Sequence, residues 1–354
     1  MRQDPFLSIV VCTLGTAAVE ETVASVRASA AAADAAVECV VVWQGDATPP
    51  ELGEGVVVVE AFPLGLSHAR NRGLAVARAP IVGFVDDDEL VDEGWVRAAI
   101  AAFGDTPRPA AAFGPVAPLD ERGLPYCHLE PGVARVFAGA STPPWTVGTG
   151  GNMVFDRDEL LAAGGFDVLL GAGAEGCSAE ETDVIMRLLR RGRRIAWAPE
   201  LGVYHPTKDE AEHLAMRFPY AFGLGRALRK HRDVLHLLRY LRSIRDVRRT
   251  GDARRRREAG MTFKGLAAGL LRSVDRRSPA RALEWMPPEA LGRLGADGWE
   301  PLPMDAGPPV RLAFRRGAEV LEVRIGPDSD DSGVTAGAVE SFSGRDSVWL
   351  LRAS

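Results

Sequence analysis

The chain has 354 residues, of which 46% are apolar and 25% charged, and its formal net charge is −6. These values fit a globular protein with one large domain plus an appendage, or with two domains, and so mild a charge indicates no particular partner. No stretch approaches the roughly 20 apolar residues that span a bilayer, the N-terminus lacks a signal-peptide pattern and the cysteines lack zinc-ligand spacing, so we expect a cytoplasmic protein.

Short apolar runs alternate with helical patterns in the first part of the chain. Strands are predicted at residues 6–13, 37–43, 55–62 and 80–86, and helices at residues 16–33 and 66–79. Strands that alternate with helices indicate a parallel sheet covered on both faces. Such sheets bind ligands beyond the carboxyl ends of their strands, so the residues that follow each strand are the candidates for function.

Further short strands are predicted up to residue 206. They are expected at residues 110–118, 152–155 and 194–206. A loop rich in Gly, Pro and Thr occupies residues 138–151, and a glycine-rich loop at residues 171–176 precedes a helix. That helix begins with acidic residues, carries an apolar stripe and ends near Gly192, which is a typical position for a C-terminal glycine cap.

A basic amphipathic helix is predicted from Arg226 to Arg257. This segment has thirteen Lys or Arg residues and three Asp residues, a difference of ten positive charges. Its apolar residues recur at helical spacing: Leu228, Val234, Leu235, Leu238, Leu241, Ile244 and Val247. The helix could dock peripherally on an anionic membrane, at its inner face, or pack on the catalytic domain or on a second subunit as a homodimer contact. We favour packing, because the arginines spread around the helix.

The C-terminal part of the chain combines a helix and short strands. A second helical stretch is predicted near residues 262–274. Beyond it, VRLAFRR, VLEVRIG and SVWLLRA have the pattern of short strands, arranged around an acidic turn, GPDSDDSG. These strands point to no particular function.

The stretch GFVDDDELVDEGW places three aspartates, Asp86, Asp87 and Asp88, directly after a predicted buried strand. Carboxylates spaced two residues apart can face one divalent cation, and Mg²⁺ or Mn²⁺ prefers oxygen ligands and keeps positions open for phosphate oxygens. A solvated acidic turn is the alternative. The location at the end of a parallel strand favours a metal site.

Three other groups of polar residues stand at the same edge of the predicted sheet. Glu180, Glu181 and Asp183 begin a helix, where the helix dipole favours them, and a carboxylate there could also act as a general base. Arg70 lies in the motif ARNRG, and its guanidinium suits a diphosphate. His205 ends a strand and is a candidate metal ligand through its neutral imidazole. For each group, a structural role is the alternative.

In their order along the chain, these motifs resemble the inverting family 2 glycosyltransferases, which have the GT-A fold. The resemblance covers Leu7 to Pro206 and rests on VVCT, GLSHARNRGLAVA, IVGFVDDDELVDEGW, GTGGNMVFDRDELLAAGGFD, EETDVIMRLLRRG and VYHP. It implies an α/β fold with a mostly parallel central sheet, plus a helical and small β C-terminal extension. The expected domains are a catalytic domain at residues 1–210, with nucleotide-binding (1–118) and acceptor (119–210) halves, a basic helical segment at residues 211–280 and a β-containing extension at residues 281–354.

The resemblance assigns roles to the acidic triplet and to the histidine. FVDDDE matches the DXD metal-binding motif of the family, so Asp86 would contact the nucleotide ribose and Asp88 would hold a divalent cation, Mg²⁺ or Mn²⁺. Asp87 is the variable middle position of that motif within the donor site. Glu89 would orient the acceptor or the metal, and His205 would complete the metal or diphosphate site.

The resemblance also implies a set of donor-binding residues. Arg70 would meet the nucleotide or its phosphates, and Thr13, after the first strand, would border the nucleobase. Gly150, Gly151 and Asn152 would line the donor sugar.

The catalytic residues implied by the resemblance lie at the acidic helix start. The dipeptide before Thr182 matches the Glu-Asp pair of the family, which makes Glu181 the general base and Glu180 its neighbour in the acceptor site. Asp183 is the third carboxylate of this catalytic group.

Two positions depart from the family pattern. The second strand of family members usually ends in an aspartate that reads the nucleobase, and here Trp43 and Gln44 take its place. Tryptophan could stack on a base and Gln44 could bind its edge, so the pattern does not specify uracil. The usual aspartate base is Glu181 here, which reaches about one methylene further.

The resemblance implies a metal-dependent inverting glycosyltransferase that moves a sugar from a nucleotide-diphosphate donor to an acceptor hydroxyl by direct displacement. The acceptor could be a glycan, a lipid-linked molecule or a small molecule, and no nucleic-acid partner is expected. A sugar nucleotidyltransferase is an alternative, although no basic residue follows the first strand in CTLGTAAVEE. A catalytically silent nucleotide-sugar-binding module is another, although it would not need acidic residues at both sites.

Overall fold

A computed structural model describes most of the chain. The described residues are 4–45, 48–53, 55–61, 63–104, 106–124, 129, 131–271, 300–302, 310–316, 319–326 and 347–353. Among the helices of these segments, none combines the length and the apolarity that crossing a membrane requires.

The centre of the molecule is an eight-stranded sheet. In chain order its strands are β1 (Leu7–Thr13), β2 (Val37–Trp43), β3 (Val56–Glu60), β4 (Ile81–Asp86), β6 (Ala111–Phe113), β8 (Arg135–Phe137), β9 (Asn152–Asp156) and β10 (Ile195–Trp197). In space they run β3-β2-β1-β4-β9-β6-β10-β8. Strands β1 to β4 are mutually parallel, β10 is parallel to β6, and β9 is antiparallel to both of its neighbours, as β8 is to β10. The predicted α/β class with a mostly parallel sheet is confirmed.

Helices cover both faces of this sheet. They are α1 (Val19–Ala32), α2 (Leu66–Val76), α3 (Trp95–Ala102), α4 (Arg157–Ala162) and α5 (Glu180–Arg190). Side chains alternate along β1, so Val10 faces a core cluster with α2 and α5, whereas Ile9 and Val11 face a second cluster with α1 and α3. The parallel strands are therefore buried on both faces, as their continuous apolar runs predict.

Two predicted strands are each broken into two. Residues 110–118 form β6 and β7 (Val116–Pro118), and residues 194–206 form β10 and β11 (Val203–His205). The halves belong to different sheets, because β7 and β11 pair with each other and with β5 (Leu90–Val91) in a three-stranded sheet. The corner at Gly114 admits no side chain, since a Cβ there would lie 1.9 Å from the carbonyl oxygen of Leu201.

The predicted single basic helix is wrong, because the segment forms parts of three helices. They are α7 (Arg217–Lys230), α8 (Val234–Thr250) and α9 (Ala253–Leu271), preceded by the short α6 (Glu210–Ala215). Two aspartates inside the basic run explain the breaks. Asp233 caps α8 by accepting from the backbone N–H of His236 at 3.0 Å, and Asp252 accepts from that of Arg255 at 2.8 Å.

The three predicted C-terminal strands are present. They are β13 (Val310–Arg316), β14 (Glu319–Gly326) and β15 (Ser347–Ala353). Together with β12 (Glu300–Leu302), which was not predicted, they form an antiparallel sheet in the order β12-β13-β14-β15. The acidic turn predicted between the last two strands lies outside the described residues.

Candidate functional site

The ends of three neighbouring parallel strands bring most of the predicted donor-site residues together. In the sheet register Thr13 pairs with Trp43 across β1 and β2, and Cys12 pairs with Asp86 across β1 and β4. Residues that are far apart in sequence therefore lie side by side at one sheet edge, which is where open α/β sheets bind ligands.

Asp87 fastens the acidic turn to the loop that follows β1. Its Oδ2 accepts hydrogen bonds from the hydroxyls of Thr13, at 2.5 Å, and Thr16, at 2.7 Å. The hydroxyl of Thr22, in α1, donates to the backbone carbonyl of Asp87 at 2.9 Å. Asp87 thus holds the turn in place, and the oxygens of its neighbours are left to face the site.

Arg70 is the electrostatic centre of the site. Its guanidinium is 2% exposed, donates to Asp86 Oδ1 at 2.9 Å and to the carbonyl oxygen of Gly150 at 2.9 Å, and forms an ion pair with Glu180. It also lies over the ring of Phe166, 5.7 Å from the centroid. Arg70, which was predicted to contact the diphosphate, is therefore a buried link between the strand that carries the aspartates and the helix that carries the glutamates.

Glu181 has the environment of a general base. Its carboxylate is half-buried and accepts from the hydroxyl of Thr182 at 3.0 Å. Burial, together with the neighbouring negative charge of Glu180, raises the pKa of Glu181 to about 7. Glu180 itself is neutralised by Arg70. The two adjacent glutamates therefore differ. Glu180 is held in an ion pair with Arg70, whereas Glu181 can exchange a proton near neutral pH.

The loop before α5 adopts a strained backbone conformation just ahead of these glutamates. Cys177 and Ala179 have positive φ angles of +63° and +70°, a region that non-glycine residues rarely adopt. The hydroxyl of Ser178 donates to the carbonyl oxygens of Pro219 and Tyr220 at 3.0 and 3.3 Å, which ties the loop to α7.

Asp88 and His205 form a pair that fits a divalent cation. His205 Nδ1 donates to the carbonyl oxygen of Pro206 at 2.7 Å, and His205 Nε2 lies 3.8 Å from Asp88 Oδ1. Burial raises the pKa of Asp88 although His205 opposes this, and the charges of Asp86 and Asp87 raise it further. A cation would relieve that repulsion.

The pair does not make a complete metal cage. Within the described part of the chain, no three His, Cys, Asp or Glu side chains are grouped closely enough to hold a metal ion. This agrees with a site that takes one or two protein ligands and fills the other positions with phosphate oxygens and water. The side chains of Asp86 and Asp88 are each 36% exposed, so both are open to a ligand.

Glu89 packs against Gly151, in the glycine-rich stretch of residues 148–151. Glu89 is buried and accepts from the backbone N–H of Asp86 at 3.3 Å. A Cβ at Gly151 would lie 2.4 Å from its carboxylate, so glycine is required there. Burial and the charge of Asp86 raise the pKa of Glu89 well above its usual range. Gly150 contacts Arg70 through its carbonyl, and Glu89 supports the turn beneath the exposed aspartates.

Asn152 is part of the core, and its predicted contact with the donor sugar is wrong. It is fully buried and its amide nitrogen donates to the carbonyls of Pro115 and Leu201 at 3.0 and 2.6 Å, while its oxygen accepts from the indole of Trp95 at 3.0 Å. This amide joins β9 to the two corners at which strands leave the main sheet.

Trp43 and Gln44 contact the loops that follow β1, β2 and β3. The amide of Gln44 donates to the carbonyls of Ala61 and Pro63 at 3.1 and 3.0 Å and accepts from the N–H of Gly65 at 3.3 Å. The indole of Trp43 is buried, donates to the carbonyl of Gly45 and contacts Gly15. The predicted stacking and base-edge contacts thus have competing partners in the protein.

Asp183 anchors helices to each other. It is fully buried and contacts Arg187 at 2.8 Å, Lys230 at 3.1 Å and His231 at 2.7 Å. Although burial opposes it, Arg187, together with His231 and Lys230, holds the pKa of Asp183 well below its usual range. Its position among these cations fits an anchor between α5 and α7 better than the predicted catalytic role.

Two residues beyond the predicted set also lie at the acidic cluster. The phenol of Tyr220, in α7, is close enough to Asp86 and Asp88 that their charges add to burial in raising its pKa, and the ammonium of Lys208 lowers that of Asp88. Lys208 follows VYHP closely in the sequence and could have been noted as a cation near the acidic triplet. No pattern in α7 marks Tyr220.

One sequence-family model matches the first part of the chain. Residues 8–158 match the sequence model of Glycosyl transferase family 2. The match includes Arg70, the acidic triplet and Gly150, and ends before Glu180 and His205. A comparison with curated protein sequences finds no match.

Solved structures give distant matches. S. aureus TarS 1-349 is 16% identical, covering 88% of this chain and 97% of that one, with a TM-score of 0.46. The mannosyltransferase PcManGT from Pyrobaculum calidifontis, solved with GDP-Man and Mn²⁺, is 19% identical, covering 83% and 85%, with a TM-score of 0.49. A mycobacterial protein is 20% identical over 63% of this chain and 74% of that one, with a TM-score of 0.42.

Proposed function

Because residues 8–158 of this chain form a glycosyltransferase family 2 domain, we propose that the protein is a metal-dependent inverting glycosyltransferase. It transfers a sugar from a nucleotide-diphosphate donor to a hydroxyl of an acceptor by direct displacement. The edge formed by the ends of β1, β2 and β4 binds the nucleotide, and the start of α5 faces the acceptor.

The observation that carries the proposal is the pairing of two unlike carboxylates at one helix start. Glu180 is neutralised by Arg70, and through Arg70 it is connected to Asp86 on the donor side. Glu181 forms no ion pair with any cation in the described part of the chain, and its pKa of about 7 suits removal of a proton from a hydroxyl at neutral pH. A binding module without chemistry would gain nothing from this costly burial of charge.

Asp88 and His205 would hold the divalent cation, with Asp86 beside them. A cation bound there would act as a Lewis acid that offsets the charge of the departing nucleoside diphosphate. The ammonium of Lys208 adds positive charge next to Asp88 and is a candidate contact for the same phosphates.

Glu181 performs the proton transfer. Its carboxylate takes the proton of the acceptor hydroxyl while that oxygen bonds to the anomeric carbon, and the bond from this carbon to the diphosphate oxygen breaks with its electron pair. Attack from the face opposite the leaving group inverts the anomeric configuration, so an α-linked donor yields a β-linked product. The carboxylates of Glu180 and Asp86 stabilise the positive charge that develops on the sugar.

Replacement of the base tests this proposal. Glu181→Gln keeps the shape of the side chain but cannot accept a proton, so sugar transfer should fall by about 10²–10⁴-fold, whereas Glu181→Asp should retain part of it. Glu21→Gln, at an exposed position on α1, is the matched control. Transfer by Glu181→Gln at the wild-type rate would show that the base lies elsewhere.

The released product separates the proposal from its enzymatic rival. A glycosyltransferase incubated with nucleotide sugars releases a nucleoside diphosphate, whereas a sugar nucleotidyltransferase consumes or forms pyrophosphate. If donor binds and neither product appears with any acceptor tested, the silent binding module is the better description.

A further inference from the structure

One face of α8 presents apolar and basic side chains to solvent. Val234, Leu235 and Leu238 are 63%, 49% and 60% exposed. Because side chains three or four residues apart share a helix face, Leu238 continues into Arg242, Arg245 and Arg249, all of which are exposed. We refer to Val234, Leu235, Leu238, Arg242, Arg245 and Arg249 as the α8 outer face.

The opposite side of α8 already satisfies the packing of the helix. Ile244 is buried in a cluster with residues of α7 and α9, and Leu237, Tyr240 and Leu241 pack partly buried against it. The predicted packing of the apolar stripe therefore holds for only part of the stripe. The three exposed apolar residues of the outer face take no part in this cluster.

The arginines of the outer face and its surroundings are weakly compensated. Arg242, Arg248 and Arg249 form no ion pair with any residue that the structure describes, and Arg245 contacts only the adjacent exposed Asp246 there, at 3.4 Å. Arg255 and Arg256, at the start of α9, are also exposed. The result is a concentrated positive surface in a chain whose formal net charge is −6.

We propose that the α8 outer face docks on the surface of an anionic lipid bilayer. An interfacial helix of this kind buries an apolar patch in the headgroup region while flanking arginines contact anionic headgroups. The exposed valine and leucines supply the first contribution, and the uncompensated arginines supply the second, in addition to the long-range attraction to a negative membrane surface. An acidic protein would account for the positive charge and a second copy of the chain for the apolar patch. An anionic bilayer accounts for both features together.

Docking through α8 would place the loop of residues 138–151 on the far side of that helix from the bilayer, roughly one helix diameter of 10 Å away. The ring of Trp145, in residues 138–151, contacts His236 and Tyr240 of α8, with centroids 5.8 and 4.9 Å apart. The same loop continues to Gly150, which contacts Arg70 in the site. An acceptor hydroxyl on a lipid-linked molecule in the same bilayer would then be held near the candidate site. This consequence rests on the proposed function, whereas the docking itself does not.

Vesicle sedimentation with the full chain tests the docking. Wild-type protein should sediment with vesicles of equal parts phosphatidylglycerol and phosphatidylcholine at low salt, and should not sediment with pure phosphatidylcholine. Leu235→Ser with Leu238→Ser, and separately Arg242→Glu with Arg249→Glu, should each lower the partition coefficient by roughly tenfold or more.

Matched controls change the same kinds of residue elsewhere on the surface. Val133→Ser with Val136→Ser removes exposed apolar side chains, and Arg97→Glu with Arg122→Glu reverses exposed charges. Both should sediment like wild type, and all variants should keep the wild-type melting temperature. Absence of wild-type sedimentation, equal loss in the controls, or dissociation of a dimer by the α8 variants without vesicle binding would each overturn the proposal. None of these readouts depends on the catalytic assignment.

Discussion

At the scale of single residues, Arg70 determines how the two glutamates of the site differ. It is buried, and it forms ion pairs with both Asp86 and Glu180, which are 94 residues apart in the chain. A buried carboxylate next to a guanidinium stays ionised, whereas one that faces mainly another carboxylate is pushed toward its neutral form. The position of Arg70 therefore leaves Glu181 as the carboxylate whose protonation changes near neutral pH.

The raised pKa of Glu181 predicts opposite effects of one substitution on activity and on stability. In the folded state its pKa is about 7, above the ordinary glutamate value of 4.5, so between these pH values the folded state binds more protons than the unfolded state. The contribution of Glu181 to stability is thus fully present below the unfolded pKa and is lost as pH rises through the folded pKa. Glu181→Gln should be more stable than wild type at pH 8, by about 1–3 kcal/mol, and nearly inactive.

Urea unfolding at pH 5 and pH 8 measures this difference, and the rate of sugar transfer gives the second readout. The wild-type rate should rise with pH through about 7, as the base loses its proton. Thr182→Val removes the hydrogen bond to Glu181 and should leave that rise in place with a further raised midpoint, because the hydroxyl favours the charged form. Equal stability of wild type and Glu181→Gln at both pH values would mean that the carboxylate is not held in a costly environment.

At the scale of elements, ion pairs bind helix α7 to α5 and to the loop before it, and Asp167 and Asp183 are their buried carboxylates. Lys230 contacts Asp167 at 2.5 Å and Asp183 at 3.1 Å, and Arg226 contacts Glu175 at 3.3 Å. These contacts join the C-terminal end of α7 to the loop and helix that present Glu180 and Glu181. The helical segment after residue 210 thus stabilises the site and contributes Tyr220 to it.

Replacement of Asp183 should separate this anchoring from catalysis. Asp183→Asn leaves Arg187, Lys230 and His231 around a neutral group, and removal of one partner from a buried ionic network costs about 3–5 kcal/mol. The folded pKa of Asp183 is depressed, so its contribution is present above the unfolded value of about 3.9 and is lost as pH falls below it. The stability difference between wild type and Asp183→Asn should therefore be constant from pH 5 to 7 and shrink toward pH 3.

Urea unfolding across this pH range provides the measurement, with Asp246→Asn as the control because Asp246 is exposed on α8. The remaining rate per folded molecule should stay within a few-fold of wild type. A complete loss of transfer by an Asp183→Asn protein that is fully folded would restore the catalytic role that its position in the sequence suggests.

The elements that could be predicted from the sequence are those with local signals. The alternation of apolar runs with helices predicts β1 to β4, α1 and α2, because periodicity and turn residues lie within a few positions of each other. Gly114-Pro115 marks one corner and Pro199 with Glu200 the other, but the sheet that each half-strand joins depends on contacts across the fold and could not be predicted. In the site, the strand ends place Thr13 and the acidic triplet, but the partners of Arg70 and Asp183 depend on contacts across the fold. The same reason hides the core role of Asn152 and the approach of Tyr220.

At the scale of the whole molecule, the site is assembled from four parts of the fold. The parallel strands supply Thr13 and the acidic triplet, α2 supplies Arg70, α5 supplies the glutamates, and the small sheet with α7 supplies His205 and Tyr220. A ligand that contacts several of these parts must stabilise all of them together, because it binds the folded state and not the unfolded chain. Global stability is therefore a readout of the site that does not require the acceptor to be known.

This coupling predicts how metal and nucleotide together affect the melting temperature. A nucleoside diphosphate of the correct base, at about 100 times its dissociation constant, should raise stability by about 2.7 kcal/mol, which is a shift of several degrees for a domain of this size. Asp88 and His205 offer a cation only two protein ligands, so the shift should require Mn²⁺ or Mg²⁺ together with the nucleotide, and Mn²⁺ alone should have little effect.

Uridine, guanosine, adenosine, cytidine and thymidine diphosphates, each with and without Mn²⁺ and with excess chelator, identify the base. Asp88→Asn should lose the metal-dependent part of the shift, and Asp92→Asn, in the same acidic stretch but bonded to the backbone N–H of Gly94 at 2.9 Å, should keep it. A full shift in the presence of chelator, or one that survives in Asp88→Asn, would show that the nucleotide binds without a cation at this position.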